Sequence, residues 1–127
     1  MTRRLLALVV LAAALAAPAT AFALRPGTPA TAVGVAQREF HITPYRRSVP
    51  VGNVRLNVHN YGEDVHNLVV TGPGGFRVAG PDIDPGANAT VNVKLRRPGT
   101  YVLLCTRANH LALGMKTKLT VVKPKRK

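Results

Sequence analysis

From residue 33 onward the chain alternates apolar and polar side chains in short runs, divided by glycine and proline. Val54, Leu56 and Val58 alternate with Arg55, Asn57 and His59, and Val91, Val93 and Leu95 alternate with Asn92, Lys94 and Arg96. Successive side chains of a strand point to opposite faces, so a period of two predicts strands with one buried and one wet face. The same pattern, or a short apolar run between turn residues, predicts strands over 33–40, 66–71, 76–79, 100–105 and 115–123. Within 100–105, Tyr101, Leu103 and Cys105 share one parity; within 115–123, Met115, Leu119 and Val121 share the inner face while Lys116 and Lys118 point outward. Residues 44–50 read as a connection with a short extended piece. Asn60-Tyr61-Gly62, Gly72-Pro73-Gly74-Gly75, 81–88 and Pro98-Gly99 read as turns and loops. No stretch after residue 24 keeps a helical period. Seven to eight short strands in about 100 residues predict an all-β Greek-key sandwich. Its core is mostly Val and Leu, which suits a chain without tryptophan.

The N-terminus has a different texture. Arg3 and Arg4 precede an apolar run, Leu5 to Ala17, that is shorter than the roughly 20 residues of a membrane span. Ala19-Thr20-Ala21 and Ala21-Phe22-Ala23 are small-x-small sites, so residues 1–23 read as an export signal cut after Ala21 or Ala23. The alternative is an uncleaved membrane anchor. The Arg3-Arg4 pair leaves both the general and the twin-arginine export routes open. Residues 24–32, rich in Pro, Ala and Thr, read as a linker, 33–123 as one domain, and 124–127 as a basic tail.

Charge narrows the partners. The chain carries 18 Lys and Arg against five Asp and Glu, a net +13, and loss of Arg3 and Arg4 with the signal leaves +11. Such an excess favours an acidic protein face or an anionic membrane surface. Nucleic acid is disfavoured by the export signal and by the lack of an aromatic stacking cluster. The five acids offer no paired carboxylates for acid–base work, and no Ser-His-Asp grouping or phosphate-cradling loop is present, so an enzyme is a poor fit. Asn88-Ala89-Thr90 matches a glycosylation sequon, a pattern frequent by chance.

The single cysteine carries the chemistry. It cannot form an internal disulfide, and a lone thiol in an oxidising compartment is at risk unless buried or metal-bound. Cys105, His110 and Met115 form a Cys-x4-His-x4-Met run, with His66 in an apolar stretch upstream. One thiolate, two imidazoles and one thioether are the donors of a trigonal His2Cys copper site with a weak axial Met. The donor set also suits zinc. His41 and His59 read as structural, His59 sharing its parity with polar Arg55 and Asn57.

The chain from Glu39 to Lys123 resembles the cupredoxins, the small blue copper proteins that include plastocyanins and azurins. Two segments carry the likeness. One runs Asn60-Tyr61-Gly62-Glu63-Asp64-Val65-His66-Asn67. The other runs from Pro98-Gly99-Thr100-Tyr101 through Cys105-Thr106-Arg107-Ala108-Asn109-His110 to Gly114-Met115. Two departures are visible: Ala108-Asn109 stands where Pro-Gly often precedes the loop histidine, and Leu104 where an aromatic often precedes the cysteine. The resemblance implies one type 1 copper per chain, with His66, Cys105 and His110 equatorial and Met115 axial. It also implies that Asn67 and Thr106 hydrogen-bond to each other and tie the ligand segments together. His110 is expected near the surface, among Leu111, Ala112 and Leu113, as an electron port. The function implied is a monomeric, exported electron carrier in the periplasm or outside the cell. Its partner would be an acidic cytochrome or oxidase domain. The alternative is a copper storage or delivery protein using the same ligands.

Overall fold

The computed structural model describes residues 27–126. The expected export signal and the start of the linker lie outside them. Nine strands follow in order: β1 (Thr31–Arg38), β2 (His41–Pro44), β3 (Ser48–Pro50), β4 (Gly52–Asn60), β5 (Val69–Gly72), β6 (Phe76–Ala79), β7 (Asn88–Leu95), β8 (Gly99–Leu104) and β9 (Lys116–Val122). One helical element, a 3-10 turn at Pro73–Gly75, joins β5 to β6. The strands form two mixed sheets, β2-β1-β4-β7 and β3-β9-β8-β5-β6. The alternating patterns bury one face of each. Val54, Leu56 and Val58 of β4 and Val91, Val93 and Leu95 of β7 meet Tyr101, Leu103, Leu119 and Val121 of the other sheet in one core.

The register differs from the sequence expectation in informative places. The first strand begins two residues early, at Thr31, and ends at Arg38, because Phe40 takes φ 63° and turns the chain into β2. The short extended piece expected within 44–50 is β3. The strand expected over 66–71 begins only at Val69. His66 pairs instead with Ile83, each accepting from the other's N–H at 3.1 and 2.7 Å.

Strand direction gathers four connections at one end. β1 and β4 run parallel, with Gln37 opposite Asn60. β7 begins beside the end of β4, and β8 ends where β9 begins. The β1–β2 turn, the β4–β5 and β6–β7 crossings between sheets, and the β8–β9 loop therefore cluster together. That end holds the candidate site.

Candidate metal centre

Each candidate donor is positioned by a different constraint. Cys105 follows β8 directly and keeps the inward parity of Tyr101 and Leu103; all three are buried. The loop after it is closed by its own backbone: His110 N–H donates to Arg107 O at 3.0 Å, Met115 N–H to His110 O at 3.0 Å, and Cys105 N–H to Met115 O at 3.1 Å. Gly114, at φ 92°, supplies the left-handed step that turns Met115 back inward. Met115 is wholly buried in the core that contains Cys105. His66 arrives from the β4–β5 crossing, anchored by its bridge to Ile83.

His66, Cys105 and His110 present their ligand atoms within 4.8 Å of one another, all buried. His66 Nδ1 and His110 Nδ1 are 3.1 Å apart, and Cys105 Sγ lies 3.9 and 3.6 Å from them. The point equidistant from these three atoms falls inside their triangle, about 2.1 Å from each, close to the 2.0–2.1 Å and 2.3 Å at which imidazole nitrogen and thiolate sulfur bind a small divalent ion. The cluster therefore fits a metal of that size. His41 and His59 lie outside it. His41 Nδ1 contacts Glu39 O at 2.9 Å, and His59 Nδ1 contacts Asn88 Oδ1 at 2.7 Å.

Burial holds the His66 imidazolium below its ordinary range, and His110 beside it adds repulsion. His66 is thus neutral at pH 7, with its lone pair free for a metal. The outer nitrogen of each ring faces a carboxylate: His66 Nε2 is 3.3 Å from Glu39 Oε1, and His110 Nε2 is 3.3 Å from Asp64 Oδ2. The first contact is too misaligned for a hydrogen bond, so the buried His66 Nε2 lacks an aligned acceptor among the described residues. Glu39 is itself fixed by the Asp64 and Glu63 N–H groups, at 2.9 and 2.6 Å. Led by the Asp64 bond, these hold its pKa at about 2. A Cβ at Gly62 would collide with the Glu39 carboxylate, so glycine is what lets the loop close on it.

A second layer of polar bonds fixes the ligand segments. Asn67 Nδ2 donates to Thr106 Oγ1 and Thr106 N–H donates to Asn67 Oδ1, both at 2.9 Å. Gln37 Nε2 donates to Asn67 O at 2.9 Å. Asn60 Nδ2 donates to Asp64 O and Ile83 O at 2.7 and 2.9 Å, joining both crossings. Arg107 N–H points at Cys105 Sγ at 3.4 Å. The sequence gives no site role to Glu39, Phe40 or Gln37, and Asn60 and Asp64 stand out in it only as members of the Asn60–Asn67 segment that carries the resemblance. Glu39 and Asp64 carried one weak signal: each is one of only five acids.

His110 departs from expectation. Its imidazole is 4% exposed, under the edge of Phe40 (ring centroids 5.6 Å apart, 76° between planes) and beside Asp64. Leu111 and Leu113 are 40% and 50% exposed, with Val65 at 39%. The apolar loop residues expected around His110 are thus exposed, while its imidazole is buried.

No protein-family model matches the sequence, and no curated protein resembles it significantly. Solved structures do. Dithionite-reduced auracyanin from the photosynthetic bacterium Roseiflexus castenholzii superposes with a TM-score of 0.64 at 25% identity, over 75% of this chain and 99% of that one. Auracyanin B gives 0.60 at 23%, over 77% and 93%. Auracyanin A, a blue copper protein from Chloroflexus aurantiacus, gives 0.59 at 17%, over 74% and 100%. By its two-sheet sandwich, this chain has the fold of these blue copper proteins, and His66, Cys105 and His110 cluster in it as a candidate metal site.

Proposed function

We propose that the protein is an exported mononuclear blue copper protein that carries single electrons between redox partners and is not an enzyme. The observation that carries this is the triangle of His66 Nδ1, His110 Nδ1 and Cys105 Sγ, sized for one small ion. His66, Cys105 and His110 would hold copper, and the buried Met115 thioether would offer a further, weaker donor. Copper, when bound, supplies a one-electron couple. The chain's own contribution is rigidity. The closed loop, the Asn67–Thr106 pair and the Asn60 bonds keep the donors in place, so little has to move when charge changes. Burial of all three donors excludes water, and the exposed Leu111 and Leu113 suit a small, short-lived docking interface. The net charge supports long-range attraction to an acidic redox partner; at the site's end of the sandwich, where the five acids lie, only Arg38, Arg107 and Lys116 offset them, so close docking there falls to the apolar Leu111 and Leu113. The apolar run Leu5 to Ala17 supports export to the periplasm or cell exterior.

The visible spectrum tests the proposal. Copper-loaded, oxidised protein is expected to be intensely blue through charge transfer from the Cys105 thiolate. Cys105→Ala should abolish the colour while the far-ultraviolet strand signal survives. A colourless wild type holding one equivalent of Cu(II) overturns the blue-copper assignment. Copper that passes to a chelator faster than electrons exchange between molecules would instead indicate delivery of the metal.

A further inference from the structure

The fold separates the charges. All five acids of the sequence lie in three of the connections at the metal end: Glu39 in the β1–β2 turn, Glu63 and Asp64 in the β4–β5 crossing, Asp82 and Asp84 in the β6–β7 crossing. Asp82 pairs there with Arg107. The strands and the opposite end carry cations with no acid among them. Lys94, Arg96 and Arg97 line a cavity of about 240 Å3 with Gly74, Phe76 and Tyr101. A neighbouring depression joins Lys94 to Pro124 of the C-terminal tail, so the exposed Lys123, Lys125 and Arg126 extend the same basic end. Thr28 and Pro29 line that depression too. The chain therefore enters the domain at the basic end, where the sequence leading back to the apolar run Leu5 to Ala17 is attached.

We propose that this basic end docks on an anionic lipid bilayer and holds the metal end away from it. Three features converge. Cations near an anionic bilayer are each attracted by the surface potential, and the effect dies within a Debye length, so what counts is their concentration at one end. The reversed orientation would press the acids of the other end against the same surface, which repels them, so it is disfavoured. The chain's entry point lies at the basic end, so an apolar segment in the membrane, or a tail on its surface, leaves the metal end facing outward. A partner would then reach Leu111 and Leu113 without displacing the lipid contact. The inference rests on fold and charge and is independent of the metal assignment, so either can fail without the other.

Flotation of the full chain with vesicles tests it. The vesicles are phosphatidylcholine alone, or phosphatidylcholine with about a third phosphatidylglycerol, a composition chosen to give an anionic surface potential. Two variants carry the same change in net charge: Arg96→Glu with Arg97→Glu at the basic end, and Arg38→Glu with Lys116→Glu at the metal end. We expect binding to the anionic vesicles well above binding to the neutral ones. We expect at least a tenfold loss for the basic-end pair and less than a threefold loss for the metal-end pair. Deletion of residues 123–127, which lie beyond β9, should also weaken binding, and a strand-type far-ultraviolet spectrum verifies that each variant is folded. Equal binding to both vesicle types would show that the apolar run alone acts. Equal losses for the two pairs would show that net charge acts without orientation. Either result overturns the proposal.

Discussion

At the scale of single residues, two positions in the ligand loop separate tuning from strain. Met115 is fully buried and tied by its backbone to Cys105 and His110. If its sulfur is the weak axial donor, Met115→Leu should keep the blue colour, because the strong bonds come from the other three residues, and should raise the reduction potential, because losing a donor disfavours Cu(II). Voltammetry on both proteins decides it; an unchanged potential would make Met115 a packing residue. Ala108 has φ 43°, where a Cβ is strained by about 1–2 kcal/mol. This is one of the two positions where the sequence departs from the resemblance. Ala108→Gly should relieve that strain and lose about 0.4–1 kcal/mol to unfolded-state entropy, for a net gain of about 0–1.6 kcal/mol. Denaturant titration of the metal-free protein reads it. A loss of stability would mean that the loop needs the side chain.

At the scale of elements, the β1–β2 turn and the β4–β5 crossing act as one unit. The turn supplies Glu39 to the loop N–H groups and to His66, and Phe40 to the ring of His110. This coupling makes acid sensitivity legible. The Glu39 pKa is depressed to about 2, so its contribution is present above the unfolded value near 4.5 and is lost as pH falls toward 2. The His66 pKa is also depressed, below 6.5, so the neutral ring favours the folded state above that pH, and this is lost as the unfolded ring takes up its proton. Both act in one direction. The metal-free domain should lose stability in two limbs on acidification, starting near pH 6.5, and Glu39→Gln should flatten only the limb below about 4.5. Denaturation midpoints at pH 7, 5 and 3 test this. An unaltered acid limb in the variant would show that the loop holds without the carboxylate.

At the scale of the whole molecule, net charge and local surface act on different steps of partner binding. Long-range attraction to an acidic partner works through the association rate and is screened by salt. Electron transfer to an acidic cytochrome should slow as salt rises from about 0.01 to 0.5 M, as the Debye length shrinks several-fold. Leu111→Asp or Leu113→Asp should slow transfer even at low salt, by placing a charge in the apolar patch beside His110. A rate indifferent to salt would remove the acidic partner. A rate indifferent to the leucine substitutions would move the docking patch elsewhere.

Much of the protein was legible in one dimension because strand periodicity is local. Alternation at 54–58, 91–95 and 100–105 gave the β-sandwich and the inward parity of Cys105. The spacing of Cys105, His110 and Met115 marked the ligand loop, and the paired Asn67 and Thr106 were expected from the resemblance. The rest depended on where distant segments meet. The strand expected from His66 starts later because Ile83, 17 residues on, claims the backbone of His66. Glu39 and Phe40 looked like the end of a strand until a positive φ at Phe40 turned them onto the two histidines. Above all, the sequence determined how much charge the protein carries, since net charge is a sum over composition. Only the tertiary structure decided that every acid sits with the donor cluster and that six cations from β7, its following turn and the C-terminal tail gather at the opposite end, because strand direction assigns each connection to one end or the other.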